Sequence, residues 1–559
     1  MSTFNRLATR LLLTLVFCTV FVHVIPAGAQ ESRRHGFRVD GYFYPDVQIP
    51  MTYYEKKIFD RLADVVDRSA RHKSDHTPSG LSRGTLKSVK LNPGKSWLLV
   101  NLDKAIMFRE GPDGMEDFLH ILSMNALLAA KQVLGKHVDV KYVYDGEVFG
   151  YGRPPPGIKY NALPSETGVQ TAAPTGGTTK GARDKVVVSA SHGLFRELDT
   201  SGNFVRWRFA RSSLNGIIED TLTPDYADEL VALLNSPRYN MLTELARNNT
   251  QLPYVPPKGT DYTDPSEVWR SMGARYHLQS ILPKKPAIWA SSGRDQEEGQ
   301  DRRARPYYAN SIRADGLISL HSNGITNPPS EDGTATGGLV IYSTIGLPSN
   351  AVLAEQIACS MREIVRKTTV YTSYDVQPFN GTDNYGEVDL ATMPSVLVEL
   401  AFHDNRSDAA MLLDPSFRAA AVRGIARGWD LYRKGKTCAP LELHSVSNID
   451  GFANTRLYGS ATYSGNGPFS MISELVSCPI YPINYYCPES WVHELSNITA
   501  SSFDFMWWCN HVPSNLPRVT SYHKAYLVDQ DGVKTDKIDW NFPCGGAGSP
   551  EYVSSPPPK

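Results

Sequence analysis

Charge of either sign is not in excess: 57 Lys and Arg stand against 58 Asp and Glu, a formal net charge of −1 over 559 residues. A basic footprint for nucleic acid is therefore missing, as is a strong electrostatic pull towards a membrane surface. Beyond the first segment there is no long apolar run, which excludes a further helical span, since a helix needs ~20 apolar residues to cross a bilayer. Cys-x-x-Cys pairs are missing, which argues against a zinc knuckle. Internal repeats are missing too, so a solenoid or propeller is not expected. Residues 185–436 contain no Gly-x-Ser-x-Gly elbow, which disfavours a serine hydrolase.

What is present is an ordinary globular composition, 41% hydrophobic and 21% charged, in a chain long enough for about two to four domains. Arg6 and Arg10 precede an apolar run over 11–20 that continues to Ile25 with His23 as its interruption. Ala27-Gly28-Ala29 follows as a small-x-small site, so 1–29 is expected to be a signal peptide. No lipobox cysteine follows it, Cys18 lying within the apolar run. The expected location is outside the cytoplasm: secreted, in the periplasm or cell envelope, with no span left after cleavage. Export implies an oxidising compartment. Of seven cysteines, Cys359 sits in a helix-like stretch, while Cys438, Cys478, Cys487, Cys509 and Cys544 crowd the last quarter. Two disulfides among those five, with one odd thiol, are expected.

Residues 37–151 read as a small α+β domain. Trp97-Leu98-Leu99-Val100-Asn101-Leu102 is a buried strand, Phe118, Ile121, Leu122 and Leu128 give a helical stripe, and 138–144 alternates like a strand before the Asp145-Gly146 turn. This order resembles the GerMN-like domain of spore-germination and envelope proteins, which implies binding or positioning rather than catalysis. Residues 152–184 are a linker, stiff at Pro154-Pro155-Pro156 and then rich in Thr, Gly, Pro and Ala. Residues 185–436 alternate strands and helices, which predicts an α/β domain with a mostly parallel sheet flanked by helices. There Thr223 reads as an N-cap and Pro224 as the first helical residue. From 437 to 549 short strand-like runs at 456–463, 503–508 and 524–528 predict a β-sandwich stapled by disulfides. The tail at 550–559 is expected to be disordered.

Three features of the α/β domain carry chemistry. The strand Val186-Val187-Val188 runs into Ser191-His192-Gly193, and Leu317-Ile318-Ser319-Leu320 runs into His321-Ser322-Asn323. Ligands of open α/β sheets gather beyond the carboxyl ends of strands, so both histidines are expected in one crevice. The third feature is Glu399 within Val396-Leu397-Val398-Glu399-Leu400-Ala401-Phe402, a carboxylate among apolar residues that persists only where a cation or a reaction requires it. A histidine after a strand is more often structural; two of them with a buried glutamate are not easily so explained. A catalytic zinc takes about three N or O ligands and leaves one position for water. His192, His321 and Glu219 fit that set, with Asp220 as the fallback for Glu219 and Glu399 as general base.

These motifs resemble the zinc-dependent N-acetylmuramoyl-L-alanine amidases of bacterial cell-wall turnover and cell separation. Leu317-Ile-Ser-Leu-His321-Ser-Asn323 is similar to the family's strand ending in its second metal histidine. Pro394-Ser-Val-Leu-Val-Glu399-Leu-Ala-Phe402-His-Asp-Asn405 is similar to its catalytic-glutamate motif. The first motif matches in part: where the family shows an Asp and further glycines, Ser189, Ser191 and Leu194 stand here. The resemblance implies Zn2+ held by His192, Glu219 and His321, peptidoglycan as the partner, an activator protein of unknown identity, and hydrolysis of the amide joining the lactyl group of muramic acid to L-alanine. Alternatives are another zinc peptidoglycan peptidase or carboxypeptidase, though Phe195 stands where a His-x-x-Glu pair would place its glutamate, and a catalytically inactive wall-binding scaffold. Residues 251–305, Pro-rich then charged, are longer than the core needs. Val268, Trp269, Met272 and Tyr276 there suggest one helix, and the stretch is expected to act as a lid.

Overall fold

The computed structural model describes residues 36–39, 42–45, 50–72, 80–149, 183–477, 489–509, 518–545 and 551–552, with internal breaks at 93, 95, 104, 107–111, 145–146, 200–201, 259, 261, 291–296, 327–328, 346, 383–384 and 454. The expected leader at 1–29, nearly all of the linker, Cys478 and Cys487 lie outside the described residues. The chain divides into a unit Met1–Pro50 and a unit Met51–Lys559. In the first, Gly36–Val39 pairs antiparallel with Tyr42–Pro45. Among the described residues no helix is long and apolar enough to cross a membrane.

The second unit begins with helix α1 (Tyr53–Arg71), started by a reciprocal cap in which Thr52 Oγ1 accepts from the Glu55 amide and Glu55 Oε2 accepts from the Thr52 amide. Strands β1 (Leu86–Leu91) and β2 (Trp97–Leu102) pair antiparallel; helix α2 (Pro112–Leu134) then crosses over to β3 (Asp139–Tyr144), parallel to β2, and β4 (Glu147–Phe149) closes the sheet. A parallel pair needs such a crossover, and the apolar stripe of α2 makes it one. Ile58, Leu62 and Val66 of α1 share a core with Leu98 and Val100 of β2 and Leu119 and Leu122 of α2.

The larger layer is a six-stranded mixed sheet built from β5 (Lys185–Ala190), β6 (Leu242–Leu245), β7 (Gly316–Asn323), β8 (Gly338–Tyr342), β9 (Val376–Asn380) and β10 (Ser395–Phe402). Its order is β6-β5-β7-β10-β8-β9. All neighbours run parallel except β10 and β8. Its helices are α3 (Glu219–Asn235), α4 (Ala274–Ile281), α5 (Glu297–Ser311), α6 (Asn350–Thr368), α7 (Gly386–Asp389), α8 (Arg406–Leu413) and α9 (Pro415–Arg433). Alternation along the strands separates two faces. Val186, Val188, Ile318, Leu320, Val396 and Val398 pack under α3, α6 and α9. Val187 and Leu317 pack under α4 and α5, whereas Leu339, Ile341 and Leu397 pack under Met124 and Leu127 of α2. The second face is thus covered by helices from two parts of the chain.

Past Lys436 two sheets form a sandwich. One holds β11 (Glu442–Val446), β12 (Thr455–Ser464) and β14 (Ser502–Cys509); the other holds β13 (Phe469–Ser477), β15 (Arg518–Asp529) and β16 (Ile538–Gly545). Phe505 and Trp507 meet Trp540 and Phe542 between them, with ring centroids 4.7–5.8 Å apart. Arg427 of α9 ties the sandwich to the larger layer through Asp529 (3.0 Å) and also holds Glu363 of α6 (2.9 Å).

Four expectations change. Cys509 pairs with Cys544, but Cys438 pairs with Cys359 of α6, so a helix residue expected to stay apart clamps the two layers together. Helix α3 begins at Glu219 rather than at Pro224. Pro224 lacks the amide that would bond to the Asp220 carbonyl, and Arg247 Nη2 supplies the missing donor at 2.7 Å. Within 251–305, Trp269–Ser271 is a short 3-10 turn separate from α4, so the four apolar residues do not form one helix. Of the tail, Glu551–Tyr552 is described, and it pairs in parallel with Arg518 and Val519.

Candidate active site

The parallel register sets His321 of β7 directly beside Glu399 of β10, so both side chains leave the same face of the sheet. Both lie within their strands, not past the ends. His192 follows β5, whose Ala190 is level with Leu320, and therefore arrives next to His321; the two rings are 5.0 Å apart, edge to face. Glu219 comes from the first turn of α3. Ligand atoms of His192, Glu219 and His321 all lie within 4.8 Å of one another, and all three residues are buried. They line a cleft of about 600 Å3 together with Glu399, Tyr385, Arg211 and His120.

Charge organises the cleft. His321 Nδ1 is 2.9 Å from Glu219 Oε1, and its Nε2 is 3.3 Å from Glu387 Oε1. Burial lowers the histidine's pKa, but Glu387 and Glu219 outweigh it and push it up to about 10. Glu387 is held down at about 2 despite burial, by Arg305 and His321. Burial pushes Glu399 up, with Glu219 and Glu387 adding to it against the pull of His321 and Arg211. His192 is shifted well below its ordinary value by burial and by Arg211. Two carboxylates flanking one imidazole demand a cation, and without a metal the imidazole proton fills that role. His192 Nδ1 and Glu399 Oε2 are buried without a hydrogen-bond partner. Two imidazoles, one carboxylate and a carboxylate beside them form a donor set suited to zinc.

The supports come from elements whose role the sequence did not disclose. Arg305 of α5 reaches Glu387 Oε1 (2.6 Å), Asp301 Oδ2 (2.5 Å) and the Ser191 carbonyl (3.0 Å). Fully buried Arg247 donates to the carbonyls of His192, Ser191 and Met272, fixing the loop that carries His192. Gly193 lies so close to Gly273 that a Cβ on it would sit 2.6 Å from that amide nitrogen, so the position requires glycine. The Leu194 amide bonds to the Ser271 carbonyl (2.7 Å) and the Gly273 amide to the Leu194 carbonyl (3.1 Å). Residues 251–305 therefore cradle the His192 loop and supply α5. Arg302, within the stretch expected to act as a lid, lines the cleft. Asp220, the fallback ligand, accepts from the Ala210 and Arg211 amides instead, and stands outside the His192, Glu219 and His321 cluster.

The rest of the glutamate motif holds its neighbours in place, and His403 also lines the cleft. His403 Nδ1 bonds to Ser322 Oγ (2.9 Å), Asp404 Oδ2 accepts from the Ile325 and Thr326 amides, and Asn405 caps α8. Glu387, Arg247 and His120 are the functional neighbours that sequence reasoning missed. Arg305 alone had a signal, the charged stretch over 294–305, which the sequence assigns to the expected lid.

Residues 258–430 match the family model described as N-acetylmuramoyl-L-alanine amidase. That span includes His321, Glu387 and Glu399 and begins after His192 and Glu219. No curated protein matches the chain. Among solved structures, an N-acetylmuramoyl-L-alanine amidase from Clostridium difficile 630 covers 45% of this chain and 98% of its own, at 17% identity and a TM-score of 0.27. The CwlD amidase from Clostridioides difficile, solved in complex with the GerS lipoprotein, covers 45% and 100% at 17% identity and 0.28. The Ami1 amidase from Mycobacterium smegmatis covers 45% and 98% at 18% identity and 0.28. The family match gives this chain an N-acetylmuramoyl-L-alanine amidase domain, which hydrolyses an amide of peptidoglycan, and His321, Glu387 and Glu399 lie buried within the matched span.

Proposed function

We propose that the hydrolysis depends on zinc and cuts between the muramoyl lactyl group and L-alanine. The observation that supports this best is the clustering of His192, Glu219 and His321 within 4.8 Å, with Glu399 in register beside His321. His192, Glu219 and His321 would hold the ion. When bound, it supplies Lewis acidity to the scissile carbonyl and lowers the pKa of water. Glu399 takes the proton of the attacking water and returns it to the leaving amine of L-alanine, so both products leave with balanced protons and no covalent intermediate forms. Glu387, anchored by Arg305, fixes the His321 ring through Nε2, leaving Nδ1 as the ligand atom.

We assign the catalytic domain to 185–436, with the N-terminal domain at 37–151 and the sandwich at 437–549 positioning it on the cell wall for remodelling or cell separation. The GerMN-like resemblance of the N-terminal domain belongs to this proposal. The reading places the protein in the periplasm or cell envelope, which suits its disulfides. A partner lipoprotein, as in the Clostridioides difficile complex, is a candidate activator. The test is mass spectrometry of fragments released from purified sacculi, with and without chelator. Free stem peptides beginning at L-alanine, lost on chelation and restored by zinc, are expected. Cleavage at another bond, or activity indifferent to chelation, overturns the reading.

A further inference from the structure

The cleft has one wall that does not come from the six-stranded layer at all. Glu116, Asp117, Phe118, His120 and Ile121 of α2 line it opposite Glu219 and His321. Asp117 and His120 are three residues apart and so share a face of the helix. His120 Nδ1 is 2.9 Å from the Tyr385 hydroxyl and its Nε2 is 2.9 Å from Asn323 Oδ1. The Asn323 amide nitrogen is engaged by Met124 Sδ at 3.3 Å, so its oxygen is the atom facing His120. Nε2 must then carry the proton and Nδ1 must accept from Tyr385. Asn323 is two residues beyond His321 on the same face of β7, and Tyr385 is two residues before Glu387. Asp117 bonds Arg211 at 3.0 Å, and Arg211 Nε lies 3.8 Å from Glu219 Oε2.

We propose that the Asp117–His120 turn of α2 is a clamp required by the hydrolytic site: His120 fixes the arm carrying His321 and Glu387, and Asp117, through Arg211, fixes the arm carrying Glu219. His120 is a positioning residue, aligning the Tyr385 hydroxyl at the cleft wall and the His321 strand at once. The N-terminal layer is then a component of catalysis as well as a tether. This rests on the zinc reading given above.

The experiment measures zinc affinity by calorimetric titration, and kcat and KM on a soluble muramoyl-peptide, all on the full chain. His120→Ala should weaken zinc binding and lower kcat, each by roughly tenfold, with little change in KM, as for groups that orient metal ligands. His120→Gln, whose amide offers one donor and one acceptor spaced like the ring nitrogens, should restore most of both. Asn125→Ala is the packing control: its side chain also bridges α2 to the larger layer, at the Ile325 carbonyl (3.2 Å), but it does not line the cleft. It should leave zinc affinity and kcat as they were. Unchanged values for His120→Ala, or equal losses for Asn125→Ala, overturn the clamp. If His120→Ala does not fold, Asp117→Asn decides on the Glu219 side by the same readings. An unaltered protein that binds no zinc overturns the metal reading and the clamp together, whereas zinc binding insensitive to His120 overturns the clamp alone.

Discussion

Glu387 touches no substrate in the proposed mechanism, and its replacement by Gln tests whether the site is held from behind. Its Oε1 accepts from Arg305 Nη1 at 2.6 Å and its Oε2 accepts from His321 Nε2 at 3.4 Å, with side-chain exposures of 0% for Arg305 and 5% for His321. A Gln at 387 keeps one acceptor oxygen and gains an amide NH2. The oxygen stays with Arg305, the shorter contact, so His321 Nε2–H then faces a donor. One charge-assisted hydrogen bond to a buried partner is lost, worth about 1.5–3 kcal/mol. At about 1.4 kcal/mol per tenfold, zinc affinity should fall by roughly ten- to hundredfold. Stability should fall less, by about 1–2 kcal/mol, because Asp301 still pairs with Arg305 at 2.5 Å. Calorimetric titration with zinc and urea unfolding of the metal-free protein separate the two effects. A folded Glu387→Gln protein with zinc affinity within about twofold of the original would refute the claim that this carboxylate orients a metal ligand.

Glu399→Gln should keep zinc bound while turnover falls by about 10²–10⁴-fold, the range for loss of a general base; loss of zinc by atomic absorption would make Glu399 a ligand instead. The metal-free His321 is pushed up to about 10, so near neutral pH it is protonated and zinc must displace that proton. Zinc affinity should therefore climb with pH, by about tenfold per unit below that value for one proton released, and a flat profile between pH 6 and about 8 would contradict the shift. Cys359→Ser opens a bridge spanning 79 residues and should lower stability by about 4.5 kcal/mol on the chain-entropy model, leaving zinc affinity unchanged. Non-reducing peptide mapping should find Cys359 joined to Cys438, and Cys509 to Cys544; a free Cys359 would refute the clamp between the layers.

The strands that carry the chemistry were legible because apolar runs and their interruptions are local. Glu399 breaks an apolar strand and His321 follows an apolar run, and those local patterns, with the motifs that resemble the amidase family, marked them. Glu219 was found by its distance from a helix, although the helix start was misplaced, because Pro224 is tolerated where Arg247 replaces the missing donor. Residues whose meaning depends on pairing across the fold were not legible. Arg247 lies 55 residues from the His192 carbonyl it holds, and Arg305 lies 82 from Glu387. The charged run before β7 was assigned to the expected lid, since charge in sequence ordinarily means an exposed segment and does not disclose buried partners. In the fold Arg302 and Arg305 of α5 are buried against Glu298, Asp301 and Glu387, each cation meeting a carboxylate. Cys359 was misjudged for the same reason, its partner lying in another layer.

The position of the cleft follows from one change of character along two neighbouring strands. A mostly parallel sheet wants helices on both faces. On the first face β7 and β10 offer Ile318, Leu320, Val396 and Val398, and an unbroken helical layer covers them. On the second face the same strands carry Leu317 and Leu397 among the small Ser319 and Ser395, and then His321, Asn323 and Glu399. An apolar helix laid over those three would leave polar groups buried without partners. The cover therefore parts: α5 packs with its apolar residues over Leu317, and α2 packs with Met124 and Leu127 over Leu397. Both turn charged or polar side chains to the gap, Arg302 from one and Asp117 and His120 from the other. The gap between them is the cleft, so substitutions that make the polar strip apolar should close it as well as disarm it.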